Sequence, residues 1–135
     1  MVELYEIAEE NNIEIFCGNI PETKSMAVPG AICLDAELAY SGAQERTHCA
    51  HELGHCIKGA FYSRDDPPYI KQRMENRADK WAIKKLVPKD ELELAVKRGY
   101  TEVWQLAEYF DVMEEFMVKA VCWYQHGNLA LQYYK

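Results

Sequence analysis

Nothing in this chain reads as a signal for export, as a membrane span or as a disulfide scaffold. The N-terminus, Met1-Val2-Glu3-Leu4-Tyr5-Glu6, is acidic and is not followed by the apolar run of a secretory leader. No apolar segment reaches the roughly 18 residues that a membrane helix needs, so a cytoplasmic protein with no membrane contact is expected. The five cysteines (Cys17, Cys33, Cys49, Cys56 and Cys122) are odd in number and form no Cys-x-x-Cys pair. That argues against a disulfide framework and a cysteine-rich zinc knot, and leaves buried thiols as the expectation. An excess of positive charge is missing too: the net charge of −7 disfavours general affinity for nucleic acid. Residues 71–98 run the other way, with nine Lys/Arg against five Asp/Glu, and read as a solvated helix surface rather than a face for an acidic partner. Repeats, low-complexity tracts and linkers are also lacking, so 135 residues that are 49% hydrophobic are expected to form one domain, 1–135.

What is present is a stretch, Thr47-His48-Cys49-Ala50-His51-Glu52-Leu53-Gly54-His55, that contains H-E-x-x-H. On a helix, residues four apart lie one above the other, so His51 and His55 can hold a single metal ion from one face. Zinc accepts neutral imidazole nitrogens and keeps an open position in catalytic sites, where a bound water is acidified to a pKa near 7. Glu52, next on that face, is placed to take the proton of such a water. A third ligand is expected from a following helix, and Glu75 stands 20 residues beyond His55 in Glu75-Asn76-Arg77-Ala78-Asp79. Asp79 is one turn after Glu75, a like-charge spacing that costs a few tenths of a kcal/mol, and its helical neighbours Asn76, Ala82 and Ile83 offer no cation. An ion on Glu75, with Asp79 accepting a hydrogen bond from the second nitrogen of a ligand histidine, would relieve the repulsion. The plainer alternative is a pair of exposed helix acids, with Lys71 pairing Glu75.

The surroundings suggest an α+β fold. Residues 2–11, apolar at Leu4, Ile7 and Ala8, read as a short helix, and Ile13-Glu14-Ile15 starts a strand. After a turn at Met26–Gly30, Ile32, Leu34, Ala36 and Leu38 alternate with polar neighbours as a half-buried strand of a small, mostly antiparallel sheet. That strand, Ile32–Leu38, is either an edge onto which a peptide adds or an interior strand. Ser41 and Gln44 fit a capping box, so the zincin-type helix begins there and runs to about Phe61. Its core stripe, Ala50, Leu53, Ile57 and Ala60, points away from the histidines, whose face is left free. Gly54 inside this helix costs up to about 1 kcal/mol against Ala, which implies a close backbone neighbour. Arg64–Pro68 reads as a loop, Lys71 to Leu86 as a second helix stopped by Pro88, and Lys89–Arg98, Thr101–Phe110 and Met113–Gln125 as three shorter helices. Gly99 and Gly127 stand at their ends.

Taken together, His51-Glu52-Leu53-Gly54-His55, Glu75-Asn76-Arg77-Ala78-Asp79-Lys80-Trp81-Ala82, Leu86-Val87-Pro88 and Leu106–Val112 resemble the ImmA/IrrE family of metallo-endopeptidases, from about residue 13 onward. The resemblance implies a zinc-dependent gluzincin-like peptidase of the kind often carried by prophages or mobile elements beside a helix-turn-helix repressor that it cleaves. By position, the Zn2+ ligands would be His51, His55 and Glu75 and the general base Glu52. Trp81 replaces the family's usual Phe, and Lys84-Lys85 stands where apolar residues are common. A non-hydrolytic zinc module that regulates a repressor by docking is the alternative.

His48, one turn before His51 on the same face, is better read as a rim histidine than as a substitute ligand or a substrate contact. His126 suits the C-terminal end of a helix dipole, and it, Tyr62 and Tyr69 are candidates for stabilising an oxyanion. Glu102–Lys119 can be drawn as a helix-turn-helix, but its second helix would offer Glu114 and Glu115 with only Lys119 as a cation. Phosphates would be repelled, so a packed helical hairpin is expected and no direct nucleic acid binding. Oligomeric state is not legible.

Overall fold

The structure, a computed structural model, describes residues 1–127. Residues 128–135, included in the expected single domain, lie outside the described residues. The elements follow in the order α1 (Val2–Glu10), β1 (Glu14–Gly18), β2 (Ser25–Val28), β3 (Ala31–Asp35), a short 3-10 helix (Ala36–Tyr40), α2 (Gly42–Lys58), α3 (Pro68–Leu86), α4 (Lys89–Lys97), α5 (Val103–Phe110) and α6 (Glu114–His126). A small sheet packed on α2 and followed by a helical C-terminal half is the expected α+β arrangement. None of the described helices is long and apolar enough to cross a membrane.

The sheet is mixed rather than mostly antiparallel. β2 and β3 form a hairpin through Pro29-Gly30, where Gly30 takes φ +82°, a conformation glycine adopts without steric cost. β1 lies on the other side of β3 and runs parallel to it, Glu14 opposite Ala31 through Gly18 opposite Asp35. Strand order is therefore β1-β3-β2, and residues 19–24 must pass the end of β3 to reach β2. Asp35 ties down that passage: its Oδ1 accepts from the Ile20 N–H at 3.0 Å, and its own N–H donates to the Lys24 carbonyl at 2.8 Å.

The strand read as Ile32–Leu38 stops at Asp35. Ile32 and Leu34 are buried as the alternation requires, but Ala36 is exposed, and Leu38 reaches the core from the 3-10 turn. Helix α3 also starts earlier than Lys71. Pro68 is its first residue, a position where the missing N–H would have been unpaired in any case. Of the five free thiols, only Cys49 and Cys122 are buried; Cys33 and Cys56 are partly exposed and Cys17 is exposed.

One core joins these parts, running from Leu4 and Ala8 of α1 through Ile32 and Leu34, then Ala50 and Leu53 of α2, to Ala82, Ile83, Leu106, Phe116 and Met117. The α5–α6 hairpin is fastened to α2 by polar contacts as well. Thr47 Oγ1 accepts the Met113 N–H at 3.0 Å, and the Arg46 guanidinium donates to the Asp111 and Phe110 carbonyls. Phe110-Asp111-Val112, drawn from sequence as the turn of a helix-turn-helix, is thus held against α2, with Phe110 and Val112 buried.

Candidate metal centre

Two helices build the centre, and their distance of approach depends on one missing side chain. A Cβ placed on Gly54 of α2 would lie 2.5 Å from the Ala78 carbonyl oxygen and 2.9 Å from the Ala78 Cα of α3, closer than real contacts allow. The close neighbour inferred from the cost of Gly54 is therefore the α3 backbone. At this crossing, α3 covers the histidines on the face of α2 that periodicity had left free, while Ser25 of β2 meets Glu52, and both Glu52 and His55 are buried.

The crossing brings together His51, His55 and Glu75, each offering a ligand atom within 4.8 Å of the others. His51 Nε2 lies 3.0 Å from Glu75 Oε1, His55 Nε2 lies 3.0 Å from Glu75 Oε2, and the two Nε2 atoms are 3.1 Å apart. Tetrahedral ligands at about 2.0–2.1 Å from zinc stand about 3.3–3.4 Å from one another, so the triangle is already near the size of one face of such a polyhedron.

The other ring nitrogens decide the tautomers. His55 Nδ1 is 2.6 Å from the Ala60 carbonyl oxygen, which can only accept, so Nδ1 carries the proton. His51 Nδ1 is 2.7 Å from Asp79 Oδ1 and donates likewise. In the neutral rings both Nε2 lone pairs then converge on each other and on a carboxylate. Two imidazole nitrogens and a carboxylate so arranged are a donor set that fits a divalent metal ion.

Protons take the cation's role in the titration behaviour. Burial opposes charge on His51, but its hydrogen bonds to Asp79 and Glu75 outweigh burial and raise its pKa to about 10. His55 is raised in the same way, against burial, by Glu75 and the Ala60 carbonyl. Burial would lift Glu75, yet hydrogen bonds from His51 and His55 hold its carboxyl well below the usual range. Asp79 is lowered despite burial by His51 and by Lys119.

Lys119 adds a partner for Asp79 that helical spacing does not reveal. That carboxylate has no cation on its own helix, but Lys119 Nζ of α6 sits 3.0 Å from Oδ2. Lys71, the alternative partner for Glu75, donates to the Arg64 carbonyl, while Glu75 Oε2 accepts from Tyr62 Oη at 2.9 Å. Burial and that carboxylate push the Tyr62 phenol up to about 12.

The ligand cluster opens into a cleft of about 530 Å³ lined among others by Ser25, Met26, His48, Glu52, Tyr62 and Lys119. His48 and Tyr62 are therefore at the site. Tyr69 lies beside Gln72 and Arg73 on another surface of α3, and His126 is exposed in the last turn of α6; neither lines the cleft. Sequence reasoning missed Ser25, whose hydroxyl is 2.6 Å from Glu52 Oε2 and 3.0 Å from His48 Nδ1. It also missed Phe61, stacked on the His55 ring at 6.2 Å between centroids. No local pattern marks either residue.

Residues 9–121 match the family model described as Peptidase_M78, IrrE N-terminal-like domain. No curated protein matches the chain.

Proposed function

We propose a function from one premise: the chain belongs to the Peptidase_M78 family, that of the IrrE N-terminal-like domain, which is a family of metallopeptidases. The proposed activity is that of a cytoplasmic zinc endopeptidase that cleaves a protein, with a helix-turn-helix transcriptional repressor as the substrate the ImmA/IrrE resemblance suggests. The observation that carries this reading is the convergence of the two Nε2 atoms and the Glu75 carboxylate, with both Nδ1 atoms already committed to acceptors.

His51, His55 and Glu75 would hold the zinc ion, which when bound would supply Lewis acidity. The remaining work falls to side chains of the protein. Glu52, buried at the floor of the cleft, takes the proton of the water as it adds to the carbonyl carbon. It then gives that proton to the departing amine nitrogen as the C–N bond breaks. Asp79 keeps His51 in the Nδ1–H tautomer, and the Ala60 carbonyl does the same for His55.

Substrate placement follows from the sheet. β3 is central, so the interior alternative applies to the strand foreseen at Ile32–Leu38, and of the two edge strands, β1 and β2, it is β2 that borders the cleft. Its residues Ser25, Met26 and Ala27 line the cleft. An extended peptide that pairs with this edge passes the ligand cluster while its main chain is held by hydrogen bonds.

The test is to incubate the purified protein with the product of the adjacent gene, with and without a chelator, and to read fragments by mass spectrometry. Cleavage that the chelator stops is the expected result. Glu52→Gln should retain zinc and lose at least about a hundredfold in cleavage. Undiminished proteolysis by that variant rejects the role given to Glu52, and a stable uncut complex points to the docking alternative.

A further inference from the structure

Ser25 connects the substrate edge to the proposed general base. It is the first residue of β2, is 9% exposed, and places its Oγ 2.6 Å from Glu52 Oε2 and 3.0 Å from His48 Nδ1. A hydroxyl has one proton to give, and a carboxylate only accepts. The Ser25 proton therefore goes to Glu52. Only lone pairs remain on Oγ for His48, so His48 Nδ1 must be the donor. The three residues form a chain with one direction, from His48 Nδ1–H to Ser25 Oγ–H to the Glu52 carboxylate.

The main chain fixes the middle member. Lys24, just before it, takes φ +67° and offers its carbonyl to the Asp35 N–H at 2.8 Å, and Ser25 is paired with the buried Leu34 of β3. A donor held on a strand orients its acceptor more sharply than one on a free loop. Of the two carboxylate oxygens, Oε2 is engaged by Ser25, which leaves Oε1 for proton transfer.

We propose that Ser25, aligned by His48, is a positioning residue that sets the orientation of the Glu52 carboxylate. Because Ser25 also opens the edge strand, docking of a peptide on β2 and alignment of the base are mechanically coupled. This inference rests on reading Glu52 as the general base.

Two measurements test it on the zinc-loaded full chain. In two-bond 1H–15N spectra of the histidine rings, with His48 assigned by a His48→Gln variant, the wild type should show His48 in the Nδ1–H tautomer. Ser25→Ala should shift it toward Nε2–H, and Ser25→Thr should keep Nδ1–H. Turnover is followed on a quenched fluorescent peptide drawn from a mixed-sequence pool. Ser25→Ala should lower kcat about ten- to a hundredfold, as misalignment of a catalytic group does, with KM changed by less than about twofold. Ser25→Thr should recover most of the loss, and zinc stoichiometry should stay at the wild-type level in both variants.

A wild-type His48 in the Nε2–H form overturns the inference. So does an active wild type whose Ser25→Ala variant keeps full kcat. A wild type that shows the Nδ1–H tautomer but cleaves neither any peptide of the pool nor the product of the adjacent gene refutes the peptidase reading, and the positioning role with it, while the hydrogen-bond chain stands.

Discussion

Helix α2 is buried on two sides that follow different rules. On one, Cys49, Ala50 and Leu53 are fully buried within the hydrophobic core, where what counts is volume, and apolar side chains of similar size can replace one another. On the other, His51, Glu52 and His55 face α3 and β2 through contacts of 2.6–3.0 Å, where a shift of half an ångström undoes the chemistry. The first side stabilises the helix. The second uses that stability to hold imidazoles and carboxylates so close together that a shared proton or a cation must reconcile them.

Three experiments probe this division. The largest effect is expected on the apolar side: Leu53→Ala should cost roughly 2–5 kcal/mol in urea unfolding while the folded fraction still binds one zinc. Loss of zinc in step with stability would show that the two sides are not separable.

Gly54→Ala should behave in the opposite sense. Its Cβ meets the α3 backbone at Ala78, so overpacking of about 1–3 kcal/mol competes with a helix-propensity gain of up to about 1 kcal/mol. Stability should fall modestly, and zinc affinity, read by competition with a chromogenic chelator, should fall by more than stability explains. Gly42→Ala is the control, since a Cβ there meets only the Asp111 carboxylate at 3.4 Å. Equal zinc affinity in the two variants would remove the crossing distance from the account.

The smallest effect, per step, is that of pH. His51 is raised from its ordinary 6.5 to about 10, so in the metal-free protein it is protonated at neutral pH and a divalent ion must expel that proton. Apparent zinc affinity should rise about tenfold per pH unit for each proton released as pH climbs from 6.5 toward 10. Metal-free stability runs the other way. A raised imidazole stabilises fully below 6.5 and is lost as pH rises through about 10. The lowered carboxyl of Glu75 stabilises above its ordinary 4.5 and is lost as pH falls. The metal-free melting temperature should therefore peak between these ordinary values and fall on both flanks; a flat profile would contradict the titration scheme.

The parts legible in the sequence are those written at helical spacing. His51 and His55 four apart, and Glu75 with Asp79 four apart, each share a helix face, and the structure sets those two faces against each other. Angular position also located the apolar stripe of α2 but not what covers the opposite side, which is why the histidine face read as free. Contacts between distant segments left no local trace. Ser25 lies 27 residues from Glu52, and Lys119 lies 40 from Asp79. The sheet was misread for the same reason, since the third strand in sequence is the central one in space.

The two histidines differ in how they are held, and the difference reaches into heredity. His51 is steadied by the side chain of Asp79, His55 by the main-chain oxygen of Ala60, reached where the chain leaves α2 through Gly59 at φ +59°. A codon change can delete the first support outright, whereas every amino acid carries the second. Under random mutagenesis, loss-of-function alleles that act by loosening the histidines should gather at Asp79 and at Gly59, and substitutions at Ala60 should be judged by bulk alone.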